Sequence, residues 1–467
     1  MEKLPLLNEL IKYHKENNLI LSMPGNKCGK AFDRDEIGLM FKRQLGKLDI
    51  TEVDPLDNLH NPTGVIKKAE ELLSKLYNSK KAFFMVNGST GGNLAAIFAA
   101  FNEGDEVLVE RNCHKSIYNA IILRKLKVVY IDPILTDIEG LFLPPNKENI
   151  NTALKESSNP KGIILTYPNY FGIGYNLEEI ISDLKNKNLK VIIDEAHGAH
   201  FGIGSNLPKN LASIADYVII SAHKTIPALT GGSYLLVNDE ESNIEFYLRA
   251  FMTTSPSYLI MASLDYGRYY LQEYGKEDYN NLITLSEKYI NKINSLGKIK
   301  ILSNELPKGY FIDKSRYVLV LPKGYSGHKL LDYLRNENIQ SEMSFHSGVV
   351  LILSPCYGEE QFVKIYNAIK KLDIDEIKNY NKDIKITYRR PIKSLEPYET
   401  FNKEGTWESI KESLGKIAKE NIIPYPPGIP IVCSGEVINQ EAINIVLEYL
   451  EAGKSVLGVT NEKILCI

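Results

Sequence analysis

Lys224 lies in Ser221-Ala222-His223-Lys224-Thr225, directly after the apolar run Asp216-Tyr-Val-Ile-Ile220, which reads as a buried strand. Upstream, a second such run, Val191-Ile-Ile-Asp194, closes on a carboxylate and continues as Glu195-Ala196-His197. An amine and a carboxylate at the ends of two buried strands suit a site for pyridoxal phosphate. The Lys224 amine would form a Schiff base with the cofactor's aldehyde, and Asp194 would hold the pyridine nitrogen protonated. A ring charged in this way lets a bound amino acid lose a group from Cα.

Other residue types could complete such a site. Gly88-Ser89-Thr90-Gly91-Gly92 falls between a strand and a helix, where free N–H groups and two hydroxyls make a phosphate cup. An ordinary turn with a Ser/Thr N-cap fits the same residues, and no P-loop lysine follows the glycines. His114, in Arg111-Asn-Cys-His-Lys-Ser116, stands where a flat imidazole could cover the pyridine ring, or where it could simply cap a helix. Asp194 needs a partner if buried: a pyridinium, a structural salt bridge or a helix start that it caps. A desolvated Lys224 has a lowered pKa and offers the neutral amine that imine formation needs. Ser221 or His223 could add a phosphate contact. His197 and His200 invite a metal reading, but their spacing matches no zinc motif, so no metal is expected.

These residues need rigid elements to bring them together. The chain has 467 residues, enough to bury a large core and to form two domains. It is 44% hydrophobic and 24% charged with a net charge of -3, which implies neither a nucleic-acid nor an anionic-membrane partner. No apolar run is long enough to cross a bilayer, and the N-terminus lacks the pattern of a signal peptide. Five scattered cysteines without a CxxC pair argue against a disulfide framework. A soluble cytoplasmic enzyme is the class implied.

A leading helix is expected over 5–18, then a loop-rich stretch to about residue 64. Helices at 65–77, 88–101, 114–124 and 177–187 alternate with strands at 82–86, 106–109, 128–131, 162–166, 191–194, 217–220 and 233–237. That alternation predicts an α/β fold with a mainly parallel sheet covered on both faces, its ligand beyond the carboxyl ends of the strands. Long helices follow over 258–296, then strands at 317–321 and 349–353 around a helix at 327–336. Two C-terminal helices, 406–419 and 439–452, flank the Pro-rich loop 423–430. The expected divisions are an N-terminal segment with a large cofactor-binding domain (1–275), a small α+β domain (276–395) and a C-terminal segment (396–467).

Taken together, the chain resembles the pyridoxal-phosphate-dependent ornithine/lysine/arginine decarboxylase family of fold type I, in its short bacterial form without the N-terminal wing domain. The likeness runs through Asp57-Asn-Leu-His-Asn-Pro-Thr-Gly-Val-Ile66, Val86-Asn-Gly-Ser-Thr90 and Arg111-Asn-Cys-His-Lys-Ser116. It continues through Asp194-Glu-Ala-His-Gly-Ala-His-Phe201, Ser221-Ala-His-Lys-Thr225, Thr253-Thr-Ser-Pro-Ser-Tyr258 and Pro424-Tyr-Pro-Pro-Gly-Ile-Pro430. The resemblance implies that Lys224 carries the Schiff base, Asp194 pairs with the pyridine nitrogen and His114 stacks on the ring. Ser89, Thr90, Ser221 and His223 would surround the phosphate, and His197 would lie near the ring. Thr254 and Ser255 would reach the phosphate from a second subunit of a homodimer. Glu436 is a candidate for the substrate's distal amine.

The implied reaction is decarboxylation of arginine, lysine or ornithine to CO2 and the corresponding amine of polyamine metabolism. Lys224 or His223 would return a proton to Cα. Amino transfer or β-elimination on the same scaffold, and a non-catalytic cofactor-binding protein, remain alternatives at this stage. Three positions depart from the family: Asn26 in Pro24-Gly25-Asn26-Lys27, Asn169 in Pro168-Asn169-Tyr170-Phe171-Gly172, and Tyr398 after Pro397. Asn26 and Asn169 bear on the substrate pocket rather than on the cofactor anchors.

Overall fold

A computed structural model describes residues 3–138, 140–303, 305–379, 389–425, 428–451 and 453–467. Residues 426 and 427 of the expected Pro-rich loop and residue 452 of the last expected helix lie outside the described residues. The central sheet has seven strands: β1 (Lys81–Met85), β2 (Glu106–Glu110), β3 (Lys127–Ile131), β4 (Pro160–Thr166), β5 (Lys190–Asp194), β6 (Tyr217–Ile220) and β7 (Ser233–Val237). Their spatial order is β1-β7-β6-β5-β4-β2-β3. The run from β6 to β3 is parallel, and β7 lies antiparallel to both β6 and β1. Continuous Val/Ile runs form these strands because both faces are covered, and every residue of β6 is fully buried.

The helices are α1 (Pro5–Lys15), α2 (Val65–Tyr77), α3 (Gly88–Ala100), α4 (Lys115–Arg124), α5 (Glu178–Asn186), α6 (Tyr258–Tyr270), α7 (Lys276–Asn294), α8 (Gly327–Asn336), α9 (Glu360–Lys371) and α10 (Gln440–Glu451). α6 and α7 join through a wider, π-type turn at Leu271–Gly275. Asp57 organises the entry to α2, its carboxylate accepting from the N–H groups of Asn58, Thr63, Gly64 and Ile66. α3 packs closely on the sheet through Gly92, where a Cβ would stand 3.0 Å from Ile219.

A second, antiparallel sheet joins β8 (Lys300–Ile301), β9 (Arg316–Val320), β10 (Met343–Phe345) and β11 (Gly348–Ile352) in the order β8-β9-β11-β10. The N-terminal segment is tied to this region, because Leu19–Leu21 pairs in parallel with Ile339–Ser341.

Near the C-terminus the structure corrects one expectation. Residues 406–419 do not form a helix: Thr406–Ser409 is a strand, β12, paired antiparallel with β14 (Lys463–Cys466), which also pairs with β13 (Val459–Thr460). Trp407, Ile410, Leu414 and Ile417 imitate a helical period. The chain instead turns through Gly415 at φ +77, and Ile410 and Ala418 bury against Val456 and Ile464. The last expected helix is present as α10.

Glu436 is a second correction. Its carboxylate is buried and grips the guanidinium of Arg111 with two hydrogen bonds, Nη1 to Oε1 at 2.7 Å and Nη2 to Oε2 at 2.5 Å. It also accepts from Cys433 N, and Arg111 Nε donates to Pro430 O. Both oxygens are thus committed to a structural ion pair, not to a substrate amine. This pair fastens the C-terminal segment to the chain just past β2. Removing one buried partner leaves the other charge uncompensated. We therefore expect Glu436→Gln to lower stability by about 3–5 kcal/mol in chemical denaturation, while Arg111→Met with Glu436→Met recovers most of that loss.

Candidate active site

The site lies at the carboxyl ends of the parallel strands, where such sheets bind ligands. β5 and β6 pair with Ile219 opposite Asp194, and β4 places Thr166 on the other side of Asp194. One residue past β6, Ser221 starts the single helical turn Ala222–Thr225 that carries His223 and Lys224. Gly25 packs on this turn so tightly that a Cβ there would lie 2.6 Å from Ile226 N, and Gly25 N donates to His223 O.

Asp194 is buried and makes no ion pair among the described residues. Its oxygens accept from Ala196 N at 3.2 Å and from Asn93 Nδ2 at 3.1 Å. Asn93 also donates to Ser116 Oγ, which lies 2.8 Å from His114 Nδ1. A chain of polar groups therefore runs from Asp194 to His114. His114 is also the N-cap of α4, accepting from Ser116 N, so the capping role that its position suggested is real.

Lys224 Nζ lies 3.1 Å from His197 Nε2, and His197 Nδ1 lies 2.8 Å from Arg316 Nη2. Burial lowers the Lys224 pKa from its ordinary value; Arg316 lowers it further and Asp194 opposes the shift. Burial above all, then the charge Lys224 carries whenever it is protonated and that of Arg316, hold His197 well below the usual imidazole range. The ring of Tyr170 packs edge-on against His197 at 5.0 Å.

At the other end, Ser221 Oγ donates to Ser89 Oγ at 2.7 Å, joining two of the expected phosphate residues. The α3 N-terminus has no side-chain cap, and Gly88 at φ +77 has open space where a Cβ would stand. Ser89 and Thr90 sit in that first turn with its outward N–H groups. His223 Nδ1 lies 2.8 Å from Gly232 O, so Nδ1 carries a proton and donates it there. Burial lowers the His223 pKa. Thr254 and Ser255 are exposed in the loop before α6 and make no hydrogen bond to any of these groups within the described chain.

Sequence reasoning missed Arg316, Asn93, Ser116, Tyr170 and Glu342. Two of them left a signal, since Asn93 interrupts an apolar helix and Arg316 opens an apolar strand. Glu342 accepts from Met23 N at 2.8 Å and from the Tyr170 hydroxyl. It is also among the charges that act on Lys224. The departures at Asn26 and Asn169 are structural. Asn26 joins Ala228 O to Gly29 N, and Asn169 joins Phe142 O to the N–H groups of Phe171 and Ile173.

These residues fit pyridoxal phosphate. A buried carboxylate without a cation, a desolvated amine and an uncapped helix start with paired hydroxyls match its pyridinium, aldehyde and phosphate in turn. Bound there, the cofactor supplies an electron sink, while the chain supplies orientation and the charge of Asp194. Purified protein is expected to be yellow. Lys224→Ala is expected to lose the visible band, and Ser89→Ala with Ser221→Ala to weaken cofactor retention; absorbance after dialysis checks both.

Comparisons with known proteins bear on the family and the fold. The sequence pattern of the Orn/Lys/Arg decarboxylase major domain matches residues 4–320, and that of the C-terminal domain matches residues 389–458. A Bacillus subtilis (strain 168) protein, the uncharacterized YaaO, is 36% identical over 94% of this chain and 92% of its own. An arginine decarboxylase of Bacillus anthracis is 29% identical over 97% of this chain and 94% of its own. Among solved structures, the constitutive lysine decarboxylase of E. coli superposes with a TM-score of 0.77 at 17% identity, over 99% of this chain and 82% of that one. The serine palmitoyltransferase of Sphingomonas wittichii superposes at 0.58 with 17% identity, over 79% of this chain and 98% of that one. The architecture is that of fold type I, and the chain belongs to the Orn/Lys/Arg decarboxylase family as a pyridoxal-phosphate-dependent amino-acid decarboxylase.

Proposed function

We propose that the chain decarboxylates a basic amino acid, with arginine ahead of lysine and ornithine, to CO2 and the corresponding amine. The observation that carries this reading is Glu342, a carboxylate beside the Lys224 site that makes no ion pair among the described residues. A distal guanidinium or ammonium would give it a direct ionic partner beside the more distant charges of Lys27 and Arg316. Full-length Bacillus relatives named arginine decarboxylase support arginine.

In this reading Asp194, Lys224 and the start of α3 would hold the cofactor, which would supply the electron sink, while the pocket would orient the substrate's Cα–carboxylate bond for cleavage. His223 is set aside as the donor that returns a proton to Cα, because its Nδ1 proton is held by the Gly232 carbonyl. The protein acts as a homodimer, with Thr254 and Ser255 completing the partner's phosphate site; their exposure supports this, as does α1, which buries none of its apolar residues. Five unpaired cysteines support a reducing, cytoplasmic setting. The division at 395 is supported by a separate apolar cluster drawn wholly from 410–466, and 275 stands as the proposed boundary of the small domain.

A panel of arginine, lysine, ornithine and neutral amino acids, with CO2 and amine measured, tests the proposal. CO2 is expected fastest from arginine, and keto acid without CO2 would overturn the reading. Glu342→Gln is expected to raise KM for the basic substrate by roughly ten- to a hundredfold.

A further inference from the structure

Hydrogen-bond valence around His197 decides where its proton sits. A guanidinium has only donors, so the 2.8 Å contact from Arg316 Nη2 makes His197 Nδ1 an acceptor without a proton. A neutral imidazole must then carry its single proton on Nε2. Nε2 lies 3.1 Å from Lys224 Nζ, so this contact runs from the ring to the lysine. An ammonium has no lone pair to accept it. We propose that Arg316, acting through His197, is a positioning device that holds Lys224 as a neutral amine aimed for attack.

The surroundings show why such a device is needed. Asp194 and Glu342 both face Lys224, and two carboxylates alone would favour its ammonium. Against them stand burial and Arg316. On the His197 side, Tyr170 offers only its ring, while His114 and His223 add weaker repulsion of an imidazolium. Arg316 is itself fixed: Nη1 donates to Tyr170 O at 2.8 Å, and Nε lies 3.8 Å from Asp313 Oδ2. Asp313 in turn is held by His200 Nε2 and Ser315 Oγ. Gly172 leaves room for the guanidinium arm, since a Cβ there would stand 2.7 Å from Arg316 Cδ. The inference rests on Lys224 being the cofactor lysine, whichever amino acid is the substrate.

Two measurements test it. In the full-length unmutated chain with nitrogen-15-labelled histidine, His197 Nδ1 is expected to resonate as an unprotonated nitrogen and Nε2 as a protonated one throughout the neutral range. A proton on Nδ1, or an imidazolium, overturns the proposal. Stopped-flow mixing of the cofactor-free full chain with pyridoxal phosphate then reads the amine. Lys224 Nζ attacks the aldehyde carbon, its two protons leave with the carbonyl oxygen as water, and the visible band grows at a rate set by the neutral fraction. At neutral pH, His197→Phe is expected to capture the cofactor about tenfold more slowly, with the gap closing as pH rises and the lysine deprotonates unaided. His197→Gln, whose amide N–H replaces Nε2–H, is expected to stay within about twofold of the parent. Equal rates for the parent and His197→Phe, or a deficit that ignores pH, overturn the device. A visible band persisting in Lys224→Ala would instead overturn the cofactor-lysine reading.

Discussion

The pairing of β5 with β6 is the constraint on which the site depends. Their parallel register sets Ile219 beside Asp194 and delivers Ser221, His223 and Lys224 at the same edge of the sheet. Side chains alternate faces along a strand, so a slip of one residue would turn Asp194 to the other face and take it away from Lys224. The register is secured by packing, since β6 and the apolar part of β5 are buried on both sides. The chemistry of the site is therefore fixed by residues that take no part in it.

Around that edge the protein keeps several polar groups out of water, each held by named partners. Lys27 is the extreme case: buried almost completely, its amine reaches Ser22 O at 2.5 Å and Ile352 O at 3.3 Å, and burial lowers its pKa to about 8. Tyr170, Glu342 and Met23 form a second junction on the same side, where the N-terminal loop meets the small sheet. The loop from Met23 to Lys27 thus packs against the turn that carries Lys224. Asn26 holds this loop through backbone hydrogen bonds, which a short amide can satisfy from both its ends.

Much of the fold was legible in the sequence because its strands are short apolar runs and its helices carry a clear period. The positions of α2, β6, β7 and α8 follow directly from such patterns. The stretch 406–419 was not legible, because its apolar spacing suits a helix while its hydrogen bonds go to β14, which is distant in sequence. The positions of Lys224, Asp194, Ser89 and Ser221 were legible through local motifs, each standing at a strand or helix end. Glu436 was misread for the opposite reason: its partner, Arg111, is more than three hundred residues away. The same holds for Arg316 and Glu342, whose roles exist only once the second sheet docks on the first.

That long-range closure has a consequence for how the chain is made. Leu19–Leu21 waits for Ile339–Ser341, Met23 waits for Glu342, and Arg111 waits for Glu436. Those partners are synthesised hundreds of residues after the segments they hold, so the nascent large sheet must persist with the Met23 loop undocked. Folding of residues 410–466 into their own apolar cluster then brings Glu436 to Arg111, so a segment made late fastens one made hundreds of residues earlier.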